Sequence, residues 1–176
     1  MPESVAARVL RWLTVFERVV ALTAFFVLVL VVFGDVVSRE LSGAGLYWAS
    51  QTAVWANVLV VMAGFGLASA NGAHLRPKFS DHWLPASWDG ALQTLQHAFM
   101  ALFSLALGLL AATVTLETWQ RGEISIQLMV PVWPVQLFLP LAFLTAALRH
   151  SLYAWVPAVR PQESSALTDI AAAGKS

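Results

Sequence analysis

Cysteine is absent from the 176 residues, so disulfides, thiolate metal sites and a cysteine nucleophile are all excluded. Charge is also scarce. Only 11% of the residues are Asp, Glu, Lys or Arg, against 59% hydrophobic. A soluble domain needs about a quarter of its residues charged to keep its surface wet, and that surface is missing here. Lys plus Arg and Asp plus Glu balance at 10 each. No basic stripe is left to follow a phosphate backbone, so no nucleic-acid partner is expected. The sequence also lacks a G-x-S-x-G elbow, a phosphate loop and an H-E-x-x-H pair, so no enzyme and no bound cofactor are expected. A mean hydropathy of +0.70 makes lipid the better solvent for this chain.

What is present is long apolar runs. A membrane-spanning helix needs about 20 mostly apolar residues, because every backbone amide must bond inside the span. Four stretches qualify, at about 12–34, 46–70, 90–116 and 131–155. The fold class is therefore an all-α membrane protein of four transmembrane helices, forming one domain over 1–156. A disordered tail is expected over 157–176, where Ala and Ser dominate. The first run has Arg8 and Arg11 ahead of it, as a signal peptide would. It is long, however, and it is followed by Asp35-Val-Val-Ser-Arg39 and not by a small-x-small site, so an uncleaved helix is expected.

Orientation follows from the basic residues. Arg8, Arg11, Arg18, Arg76, Lys78, Arg149, Arg160 and Lys175 collect on one side, and only Arg39 and Arg121 on the other. Both termini and the middle loop are thus expected in the cytoplasm of a bacterium, with two short loops in the periplasm. Trp12, Trp48, Trp83, Trp88, Trp119, Trp133 and Trp155 fall at span ends, where an indole can keep its ring in lipid and its N–H in water; Trp55 falls inside. In the middle loop, Trp83, Leu84 and Trp88 stand beside charged residues and predict a segment lying on the cytoplasmic interface.

Small residues let helices approach closely in lipid. The second span offers Gly64 with Ala68 and Gly66 with Ala70. The third offers Ser104, Gly108 and Ala112 at spacings of four, on the face that also carries His97 and Gln93. These faces are expected to meet protein, within the chain or in a partner. The fourth span opens with Pro131-Val-Trp133-Pro134, where proline is tolerated. Pro140 lies further in and is expected to kink the helix or free a carbonyl.

An ion-coupled carrier usually keeps an ionisable group deep in the bilayer. Glu17 and Glu117 read as edge residues, Asp35 closes the first span, and His97 is the sole ionisable residue expected inside a span. Such a chain is suited to supporting transport more than to conducting it. A second reading is a haem- or quinone-linked anchor of a redox complex, with two of His74, His97 and His150 clamping a haem. His74 and His150 read as lying at or beyond span ends, which sets them at the wrong depth.

Three stretches together resemble the small membrane subunit of the TRAP transporters, the tripartite ATP-independent periplasmic carriers. They are Asp35-Val-Val-Ser-Arg39 with Trp48, the run from Gly64 to Gly72-Ala-His74-Leu-Arg76, and Pro131-Val-Trp133 with Pro140-Leu-Ala-Phe143. The family often places Glu just after the tryptophan that opens the second helix. This chain has Ser50 and Gln51 there, which leaves the partner of Arg39 open. The resemblance implies a bacterial inner-membrane, multi-pass scaffold for a large permease subunit. That subunit would carry the sodium coupling and the substrate site, and a periplasmic binding protein would deliver an organic acid. Gly64, Ala68, His97, Ser104, Gly108, Ala112 and Pro140 are the candidates for packing against the partner. Arg39, Trp48, Gln51, Trp119, Arg121 and Trp133 are the candidates at the periplasmic edge.

Overall fold

The computed structural model describes residues 5–70 and 89–160. The chain is helical: α1 (Val5–Ser42), α2 (Ala49–Ala70), α3 (Asp89–Arg121), the short α4 (Trp133–Gln136) and α5 (Phe138–Trp155), closed by a 3-10 turn at Pro157–Val159. Among the described residues, four helices are long and apolar enough to cross a membrane, with α4 and α5 counting as one. The middle-loop segment with Trp83, Leu84 and Trp88, and the residues His74, Arg76 and Lys78, lie outside the described residues.

Two of the helices, α1 and α3, outrun the apolar runs that announced them. At 38 residues, α1 is about 57 Å long, nearly twice the ~30 Å hydrocarbon core. Hydropathy marks the stretch that matches lipid, whereas the helix continues through Arg8 and Arg11 at one end and Arg39 and Glu40 at the other, where water or headgroups can solvate the charges.

Spacing dictates the packing of the first pair. Leu10, Glu17 and Ala24 are buried at every seventh residue of α1, as are Ala49, Ala56 and Ala63 of α2. A repeat of seven keeps one seam facing a neighbour in a left-handed crossing, and alanine at the seam lets the backbones come close. The second pair is α3 with α5. Gly108 provides room for Leu144 there: a Cβ on Gly108 would lie 3.0 Å from the leucine side chain. The two pairs join chiefly where α2 meets α5. The helices therefore stand in the order α1, α2, α5, α3, an open row with α1 and α3 at its edges, and not a closed bundle.

Two glycines end helices by taking a left-handed conformation that other residues resist. Gly43 (φ 72°) turns out of α1, donating its N–H to Arg39 O at 3.0 Å. Gly122 (φ 63°) ends α3 with its own N–H on Trp119 O and that of Glu123 on Thr118 O. The following loop folds back on itself, with Ser125 N–H on Val130 O and Val132 N–H on Glu123 O.

The helix of the fourth span is interrupted at Leu137. Pro140 has no N–H to give Gln136 O, the carbonyl one turn back. The hydroxyl of Thr115 donates to Ala111 O at 2.8 Å and lies 3.4 Å from Gln136 O, placing a donor from α3 beside the freed acceptor. At the other end the described chain continues through the 3-10 turn to Arg160, and the rest of the expected tail, 161–176, lies outside the described residues. Arg160 donates to Tyr153 O (2.7 Å), Thr94 (2.8 Å) and Gln93 (3.3 Å), tying the end of the last helix to the start of α3.

Candidate functional site, a polar clasp across four helices

Arg149 and His150 are neighbours on α5, the central helix of the row, and both are almost wholly enclosed, at 0% and 1% exposure. Successive helical positions point about 100° apart, so the two side chains reach to opposite sides. Arg149 donates one N–H to Glu17 Oε2 of α1 at 2.8 Å and another to Gly66 O of α2. His150 meets His97 of α3 with the two Nδ1 atoms 3.1 Å apart, one donating and the other accepting. Tyr153, one turn on from Arg149 and His150, packs its ring against both imidazoles. All four membrane helices are thus bonded at one level by side chains radiating from α5.

The clasp lies within the spans but near one end of them. Gly66 is four residues, or about 6 Å, from the end of α2. The expectation that Glu17 is an edge residue, that Arg149 is a loop cation and that His97 alone is ionisable inside a span is corrected here. Glu17 is 6% exposed and sits on the inner seam of α1. An isolated charge there would be prohibitively costly, and it is tolerated because the opposite charge is in hydrogen-bonding contact. The pair meets end-on: Glu17 Oε1 and Arg149 Nε have no hydrogen-bond partner among the described residues.

Gly66 makes this contact possible. A Cβ on Gly66 would overlap the Glu17 carboxylate, whose Oε2 lies only 2.8 Å from that position and whose other atoms are nearer still. The glycine hydrogen that takes the place of a Cβ faces the carboxylate instead, a contact of the weak C–H···O kind. Gly64, by contrast, has nothing within 4 Å of its Cβ position, and Ala68 is exposed. The two small-residue registers of α2 therefore have different fates. Gly66 belongs to the clasp, and Gly64 with Ala68 faces outward.

The histidine geometry corrects the expected mismatch in depth, since His97 and His150 lie level with each other. It also leaves no place for a haem clamped between this pair. Rings whose centroids are 5.4 Å apart and whose nitrogens touch leave no room for a macrocycle between them.

The remaining candidates fall into three places. Ser104 is enclosed on α3, and its hydroxyl has no partner among the described residues. Ala112, Pro140, Trp119 and Trp133 come together along a groove between α3 and the fourth span, of about 460 Å³, with Gly108 nearby beneath Leu144. Arg39, Trp48, Gln51 and Arg121 lie at the end of the row opposite the clasp. There Asp35 answers the open question about Arg39: its carboxylate accepts from Arg39, one turn on, and from Leu46 N–H at 2.7 Å. The α1–α2 corner is latched from within α1, with no need of a charge at Ser50 or Gln51. A Cβ on Gly45 would lie 2.8 Å from both Arg39 and Asp35, so the latch closes against bare backbone. Arg121 is exposed and pairs with Glu117 and Glu123, while Trp48 and Gln51 are half-buried.

Comparison with known proteins places these features in a family context. The family described as "Tripartite ATP-independent periplasmic transporters, DctQ component" matches residues 28–160. The chain is also similar to the ectoine TRAP transporter small permease protein TeaB of Halomonas elongata, 23% identical over 116 residues, which is 66% of this chain and 60% of the relative. No solved structure matches.

Proposed function

The chain belongs to the DctQ component family of the tripartite ATP-independent periplasmic transporters, and from that premise we propose that it braces a large permease subunit during sodium-driven uptake of an organic acid delivered by a periplasmic binding protein. A component of this family is part of a transporter and not an enzyme, and it associates with a large permease and a solute-binding protein. The match to residues 28–160 takes in α2, α3 and the fourth span whole, and it is the observation that carries the reading.

The brace role has physical support in the clasp. A scaffold must keep its shape while its partner moves. Hydrogen bonds from one central helix to all three of its fellows resist sliding, because breaking any of them strands a buried polar group in lipid. The site is also poor for carrying a solute. Its one buried anion is already matched by Arg149, and the groove at the other end of the row is lined almost wholly by apolar residues.

The orientation, with both ends in the cytoplasm of a bacterial inner membrane, rests on the basic residues. Arg149 is withdrawn from that count because it is buried, which leaves seven against two. On this orientation the clasp lies toward the cytoplasm and the Asp35–Arg39 latch toward the periplasm. The relative is named for ectoine; for this chain the class proposed is an organic acid, as the family resemblance implies. Proteoliposomes holding the permease, with binding protein and solute outside and a sodium gradient, provide the test. Uptake is expected only when this chain is included, and none from this chain alone. Sodium-driven accumulation by the isolated chain, or full uptake without it, would contradict the proposal.

A further inference from the structure

We propose that the face of the row formed by α3 and α5 is the surface that receives an apolar transmembrane helix of the large permease subunit. This rests on the subunit reading above and adds which side of the chain is engaged. α5 is central, yet one narrow stripe of the fourth span is uncovered: Leu137 at the break before α5, then Leu141, Leu144 and Leu148. Its opposite side is enclosed, with Ala146 at 0% exposure. The stripe is a ridge, and grooves run beside it. One, of about 460 Å³, lies between this ridge and Trp119 and Leu116 of α3. A second, of about 430 Å³, continues it past Leu102 and Leu105, and Leu144 borders both. The floor is made of small residues, among them Ala101, Ala112 and Ala147.

Three properties favour a helix of the permease. Leu137 and Leu148 are eleven residues apart, so the exposed ridge runs about 16 Å along the span, and its steps of four, three and four residues match the seam of a helix pair. The exposed apolar surface of the ridge and of the facing α3 leucines and tryptophan is roughly 700 Å², close to the ~800 Å² that each partner gives a stable interface. None of the residues lining the two grooves is ionisable, so the occupant must be apolar, with side chains large enough to fill a space floored by alanine. Without a hydrophobic force between helices in lipid, such packing is what holds them together. The outer edge of α1, with Leu22, Phe26 and Phe33, is equally apolar. It is the convex side of a single helix, which lipid chains coat readily.

The chain has no cysteine, so single-cysteine variants can each carry a thiol-attached photo-crosslinker in the assembled transporter. Leu105→Cys and Leu144→Cys probe the groove and Phe26→Cys the α1 edge. Adducts identified by mass spectrometry as the large permease subunit are expected from both groove positions, at least tenfold above Phe26→Cys. If the permease co-purifies but the adduct forms from the α1 edge, or the groove yields only lipid adducts or adducts with a second copy of this chain, the assignment of the face is overturned while the subunit reading stands. If the permease neither co-purifies nor forms adducts at any position, the subunit reading fails and takes this inference with it.

Discussion

Alanine at Gly66 and alanine at Gly64 are the same chemical change two residues apart on one helix, and the clasp predicts opposite outcomes. At Gly64 the methyl meets open space. The change removes glycine's backbone freedom from a helix interior, and a gain of about 0.5–1 kcal/mol is expected. At Gly66 the methyl overlaps the Glu17 carboxylate. The carboxylate cannot yield without leaving Arg149, and both groups are buried. Loss of one charge-assisted hydrogen bond costs about 1.5–3 kcal/mol, and complete separation of a buried pair about 3–5 kcal/mol. The backbone gain is common to both variants, so they should differ by roughly 1.5–5 kcal/mol. The assay is equilibrium unfolding in mixed micelles, titrated with SDS and followed by circular dichroism and tryptophan fluorescence. Equal shifts for the two variants, or a more stable Gly66→Ala, would refute the claim that the carboxylate rests on that glycine.

Other consequences of the same geometry can be measured in the same assay. Glu17→Gln and Arg149→Met should each cost about 3–5 kcal/mol, and the double variant well under their sum, because each single change strands the other charge; strict additivity would mean the two groups do not meet. His97→Ala should cost about 1–3 kcal/mol through loss of the buried contact with His150, and His150→Ala a similar amount; a neutral outcome for both would deny the imidazole contact. At the opposite end, Arg39→Ala should cost no more than ~1 kcal/mol, since its side chain is 65% exposed. Asp35→Ala should cost more, about 1–3 kcal/mol, because it also frees the N–H of Leu46; the reverse order would overturn the latch.

Much of the architecture is legible from composition and spacing, because lipid leaves few options. Apolar runs of sufficient length must be helices, and the four of them emerge from the sequence with ends that differ from the helices themselves. The small-residue faces were also legible, but not their assignment. Gly64 with Ala68 and Gly66 with Ala70 have identical spacing, and what separates them is a carboxylate on another helix. A finer signal was available in the repeat of seven through Ala49, Ala56 and Ala63, which places the seam of α2 and puts Gly66 beside it. The clasp itself was hidden for a simple reason. Glu17 lies beside Arg18 near the start of the first apolar stretch, and Arg149 lies 132 residues away, near the end of the last. Read singly, each is a charge at a membrane edge, and only the approach of α1 to α5 makes them a pair. His97 and His150 escape notice as a pair because His150, beside Arg149, reads as lying at or beyond the end of the last span, whereas the helix carries it five residues inside its end at Trp155.

The central claim is that this chain keeps its shape while the transporter works, and distance measurement tests it directly. With no native cysteine to interfere, spin labels at Leu30→Cys on α1 and Leu109→Cys on α3 report across the row by pulsed electron resonance in the assembled complex. The account predicts one distance distribution, unchanged within about 2 Å, with and without sodium and solute-loaded binding protein. A shift approaching one helical turn, about 5.4 Å, would show the row sliding on itself and would contradict the account.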